Sequence, residues 1–144
     1  MKIFNAVVFF ACVSAYAADS QLTQVNEQYL KTVKPIFQKK CFDCHSGATV
    51  FPWYHHLPGI KQLLDHDTHE AREDMDMSQD FPFIGKGSPT DYLGNIEDEI
   101  NEGSMPPFRY RIIHRDSKIS DSEKQVILDW VHESQKLLGP GGDD

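Results

Sequence analysis

The chain of 144 residues sets 14 Lys and Arg against 22 Asp and Glu, for a formal net charge of −8. That balance argues against nucleic acid and anionic bilayers as partners, because both are held by cations that neutralise phosphate. It suits a partner with a basic patch, reached by electrostatic steering, and the length suffices for one domain.

The chain opens like a secretory leader. Lys2 supplies a positive start, 3–11 is almost wholly apolar, and Ala15-Tyr16-Ala17 has the small-x-small form of a cleavage site. The apolar run is too short to span a bilayer. Cleavage near Ala17 leaves 18–144 as one domain, periplasmic or secreted, and loss of Lys2 takes the charge from −8 to −8 − 1 = −9. Cys12 offers a lipid-anchored alternative, set back by Phe9 three positions before it, where an aliphatic residue is usual. No later stretch is apolar enough to predict a membrane helix.

Gln21 to Lys34 is mostly polar, and Pro35 predicts a break or a fresh helix start. Ile36, Phe37 and Cys41 stand at helical spacing, which predicts a helix running up to Asp43. Ser46 to Gly59 reads as a loop carrying Phe51, Trp53 and Tyr54. Ile60, Leu63, Leu64, Asp67 and Ala71 return to helical periodicity, with acids on the other faces. Asp74 to Gly87 reads as a loop with Met75, Met77, Phe81 and Phe83. The next helix opens on Ser88 as N-cap with Pro89 and Asp91 behind it, shows Tyr92, Leu93, Ile96 and Ile100 as its apolar stripe, and stops at Gly103. Ser120 and Glu123 form a capping box for the last helix. Its expected buried face is Val126, Ile127, Trp130, Val131 and Leu138, and Gly139-Pro140 ends it before a tail expected to be disordered from Gly141.

Chemistry concentrates in Cys41-Phe42-Asp43-Cys44-His45. Two thiols three positions apart can add across both vinyl groups of one haem, and the histidine that follows then lies under the iron. A redox dithiol would be expected beside a βαβ pattern, which this sequence lacks, and a zinc site needs ligands that no second cysteine pair supplies. Ser104-Met105-Pro106-Pro107 offers a second axial ligand: a thioether is soft and neutral and favours ferrous iron, and the prolines stiffen its loop. Read by itself, Met105 fits equally well as a gap-filling core residue.

Cys41 to His45, Phe51-Pro52-Trp53-Tyr54, Gly103 to Pro107 and Ser120 to Trp130 together resemble the bacterial haem-binding domain family of small monohaem c-type cytochromes, related to the class I cytochromes c. The resemblance runs from about Val33 to about Leu138. It implies an all-α, cytochrome c-like domain of four to five helices around one covalently bound haem c. It further implies thioether bonds at Cys41 and Cys44, His45 as proximal ligand and Met105 as distal ligand. In the broader class a proline carbonyl orients the proximal imidazole, which nominates Pro58, with Pro52 as competitor. Trp53, Tyr54, Arg72, Arg109 and Tyr110 are donors of the type that hold haem propionates, though each also reads as core or solvated surface. His55, His56, His66, His69, His114 and His132 are rival axial ligands that read better as surface or capping residues. The functional expectation is an electron carrier rather than a catalyst. Its rivals are a gas or redox sensor with a labile Met105, a peroxidase-like enzyme with an open distal face, and a haem module docked in a larger redox complex.

Overall fold

The computed structural model describes residues 18–139; the expected leader with Cys12, and the tail from Gly141, lie outside the described residues. A rod, α1, occupies 18–40 without interruption, passing through a π-helical turn at Tyr29–Val33 into Lys34–Lys40. Of the two outcomes expected at Pro35, the break is absent and the fresh helix start is met, since the α-helical segment Lys34–Lys40 opens with Pro35 in its first turn. Proline has no N–H to donate and crowds the carbonyl four residues back. The wide turn just before it, closed by Lys34 N–H on the Tyr29 carbonyl, absorbs that defect within the helix.

The rod carries a stripe that the polar composition of Gln21 to Lys34 conceals. Val25, Tyr29, Val33 and Phe37 recur every four residues, and all are 0–1% exposed. They pack with Tyr92, Leu93, Ile96 and Ile100 of α4 (Pro89–Glu102) and with Ile127, Trp130 and Val131 of α6 (Asp121–Leu138). Each such side chain contributes about 1.5–3 kcal/mol on burial. The predicted caps are present: the Ser88 and Ser120 hydroxyls accept from Asp91 N–H and Glu123 N–H, and Gly103 closes α4 in the left-handed region at φ 67°. On α6 the expected inward Val126 faces out at 38% exposure, and Ser134 is buried instead, its hydroxyl donating to the Trp130 carbonyl.

Between these helices, α2 (Phe42–His45) follows the rod directly and packs on α3 (Ile60–Asp74), with a 3₁₀ turn at Trp53–His56 between them. The aliphatic stripe expected to bury α3 does not do so: Ile60 is 37% and Leu63 39% exposed, and no residue of α3 is buried. The stretch 74–87, read as loop, contains a two-rung antiparallel ladder of β1 (Met75–Asp76) and β2 (Ile84–Gly85), with Met75 opposite Gly85. Its Met75, Met77, Phe81 and Phe83 enter the core, where Phe81 meets Trp130 and Phe83 meets Tyr29 edge-on at centroid distances of 5.6 and 5.3 Å. A short helix α5 (Phe108–Ile113) was not foreseen from the sequence. The result is all-α, with six helices and one two-stranded ladder among the described residues. None of those helices is long and apolar enough to cross a membrane.

Candidate haem site

The rod delivers Cys41 by ending on it: Cys41 N–H bonds the Phe37 carbonyl at 2.8 Å, and the next turn closes on the Cys41 carbonyl from Cys44 N–H (3.1 Å) and His45 N–H (3.0 Å). Three of the predicted ligating residues are thereby gathered on one helical turn. Both cysteines are free. Burial, then the neighbouring Cys44, pushes the Cys41 thiol up to about 12. Burial followed by the Asp43 and Asp67 carboxylates raises Cys44, against the pull of Arg109. Neither is the low-pKa thiolate of a redox dithiol.

His45 is held from two sides by β1 and the residue that follows it. Its Nδ1 lies 2.9 Å from the Met75 carbonyl, and its own carbonyl accepts from Met77 N–H at 2.6 Å. A carbonyl can only accept, so Nδ1 carries the proton and Nε2 keeps the lone pair that binds a metal. This corrects the expectation that Pro58 or Pro52 would orient the ring. Pro58 is exposed, and the Pro52 carbonyl accepts from His55 N–H. Met75 supplants them because α3 ends there: its extended backbone turns the carbonyl out of the helical ladder and leaves it free for a side-chain donor.

Two polar contacts tie α5 to this turn and to α3. Tyr110 donates its hydroxyl to Asp43, the residue between the cysteines, and Arg109 Nη2 reaches Asp67 Oδ2 at 2.7 Å. The Tyr110 ring stacks on His114 at 4.2 Å, and His114 Nε2 lies 2.7 Å from the Tyr54 hydroxyl. Met105, 37% exposed, sits on the loop that leads from Gly103 into α5. The anchored helix thus governs where that loop lies.

The remaining nominees are engaged elsewhere. Arg72 grips Asp76 Oδ2 with Nε and Nη2 at 3.0 and 2.9 Å, and Trp53 is 79% exposed. Of the rival histidines, His55 is buried against Asp65 (2.7 Å), His69 faces Glu73 (3.4 Å) and His132 faces Glu97 (2.9 Å). A polar cleft of about 520 Å³, lined by residues including Thr49, His69 and Arg72, involves neither the cysteine turn nor Met105. Sequence reasoning missed Asp43, Asp67 and the Met75 carbonyl. The only signal was a carboxylate between the cysteines; a backbone carbonyl leaves none.

The donor set fits a haem: two free thiols and a metal-ready imidazole nitrogen share one turn, with a thioether on a loop joined to that turn's neighbour. An all-α fold with such a turn belongs to the class of helical haem-binding domains. The chain is a member of the haem-binding domain family, which matches residues 3–133. Among curated proteins it is similar to the cytochrome c peroxidase Ccp of Escherichia coli (strain K12), at 31% identity over 116 residues. That alignment covers 79% of this chain and 25% of Ccp, so the chain spans about a quarter of that relative's length. No solved structure matches.

Proposed function

We propose that this chain is a periplasmic or secreted monohaem c-type cytochrome that transfers one electron at a time. Bound here, a haem supplies a reversible ferric–ferrous couple. Cys41 and Cys44 would tether it through thioethers, and His45 Nε2 and the Met105 thioether would ligate the iron. The chain's own part is to hold the imidazole in one tautomer, to exclude solvent from the Cys41 tether, and to keep the Met105 loop anchored through α5. The observation that carries the reading is the His45 ring, fixed through Nδ1 on the Met75 carbonyl beside two free cysteines on the same turn.

A second reading is favoured by the similarity to Ccp. A domain a quarter of the length of a protein named as a peroxidase fits the role of haem module feeding electrons to a larger peroxidase system. Both readings use the same site, and they differ in whether the electron passes to a separate partner or to the peroxidase centre of one larger system.

The test is an absorption spectrum of protein exported from a host that matures c-type haem. A ferric sulfur-to-iron charge-transfer band that vanishes in Met105→Ala is expected. Fast carbon monoxide binding to the reduced wild type would sink the six-coordinate carrier and favour an open-faced haem. A colourless protein of unchanged polypeptide mass would sink both.

A further inference from the structure

The carbonyl that His45 Nδ1 meets belongs to Met75, whose partner across the ladder is a glycine. Gly85 is the ladder partner of Met75, and its φ of 154° is one that L side chains rarely adopt. A Cβ at this position would lie 2.4 Å from the Asp74 carbonyl oxygen, 2.8 Å from the Asp74 carbonyl carbon and 3.1 Å from the Glu73 oxygen. These are backbone atoms, so a side chain cannot be accommodated by rotating a neighbour aside. The Asp74 carbon is bonded to Met75 N, one residue from the carbonyl that accepts from His45 Nδ1. Met77, just past the end of β1, donates its N–H to the His45 carbonyl.

We propose that Gly85 is a positioning residue for the His45 imidazole: its bare Cα lets β2 close on the end of α3, and that closure aims the Met75 carbonyl at Nδ1. The inference rests on His45 being an iron ligand, as proposed above. A tight Nδ1–H···O bond pushes electron density onto the ring, makes Nε2 a stronger donor and favours ferric iron. Pushing the Asp74–Met75 peptide away loosens the bond, which raises the reduction potential and frees the ring to rotate.

Gly85→Ala and Gly94→Ala form the comparison. Gly94 lies within α4 with nothing within 4 Å of an added Cβ, so the same methyl there meets no neighbour. In the haem-bearing full-length protein, Gly85→Ala is expected to shift the midpoint potential upward. It is also expected to speed solvent exchange of the His45 Nδ1 proton, read by nitrogen-resolved NMR of the reduced form, by about five- to tenfold. Gly94→Ala should leave both unchanged. A haem-bearing Gly85→Ala protein that matches wild type in potential and exchange overturns the proposal. If Gly85→Ala does not fold, the wild type decides: a protected Nδ1 proton supports the clamp, and one exchanging as freely as in an exposed imidazole overturns it. A wild type exported without haem removes the electron-transfer reading itself, an outcome separate from either of these.

Discussion

Tyr29 and Tyr110 show how far single side chains are bent to this fold. Tyr29 is 0% exposed, and its hydroxyl has no hydrogen-bond partner among the described residues; burial foremost, then the Asp80 carboxylate, holds its proton on well above the ordinary 10.0. Tyr110 shifts the same way, through burial and then its bond to Asp43. In the unfolded chain both titrate near 10.0. Above that pH the unfolded state has lost protons that the folded state retains, so stability falls as pH rises and is fully present below it. Urea midpoints should therefore stay level up to about pH 9 and drop by about pH 11. Tyr29→Phe should flatten that drop, and an unchanged drop would show that the phenol does not cause it. At this scale the gathering of Cys41, Cys44 and His45 on one turn was legible, because it follows from their spacing. The orienting carbonyl was not: every residue has one, and only the end of α3 decides that the one at Met75 is free.

Among the elements, α4 and α6 were the most legible, since capping boxes and glycine stops act within a few residues and write themselves into the sequence. Ser120→Ala should remove the bond to Glu123 N–H and destabilise the protein by about 1 kcal/mol, read as a lower urea midpoint with an unchanged slope. Loss of less than a few tenths would mean that Glu123 and solvent satisfy the turn without it. The misreadings also have local causes. Pro35 does open a fresh α-helical segment, Lys34–Lys40, but it leaves the rod unbroken because the π turn at Tyr29–Val33 runs straight into it. The periodicity at Ile60, Leu63 and Leu64 truly marks a helix, yet periodicity says which side is apolar and not whether anything covers it. On α3, Ile60 and Leu63 remain more than a third exposed. The helix at Phe108–Ile113 is too short for periodicity to register, and its tie to Asp43 spans 67 residues.

For the whole molecule, the sequence conveyed the helical class but not where the core would sit. The largest buried cluster is built from α1, α4, α6 and the 75–83 segment, with the cysteine turn at its margin, where Cys41 and Phe42 pack against it. Charge also belongs to this scale. A chain at −8 is expected to meet a basic redox partner with a rate that falls as salt rises, because screening shortens the reach of the field. Stopped-flow reduction by a basic donor across a salt series measures it, and a rate indifferent to salt would rule out steering by net charge.

The first and last described helices are stitched together where the chain enters and leaves. Trp130 Nε1 donates to the Val25 carbonyl at 3.2 Å, and Gln21 Nε2 donates to the Leu137 carbonyl at 2.7 Å. A unit whose entry and exit lie side by side closes on itself like a loop on a string. It can be spliced into a longer polypeptide, or have its ends fused and be reopened at the exposed bend near Val50, with little strain on the host or on the insert.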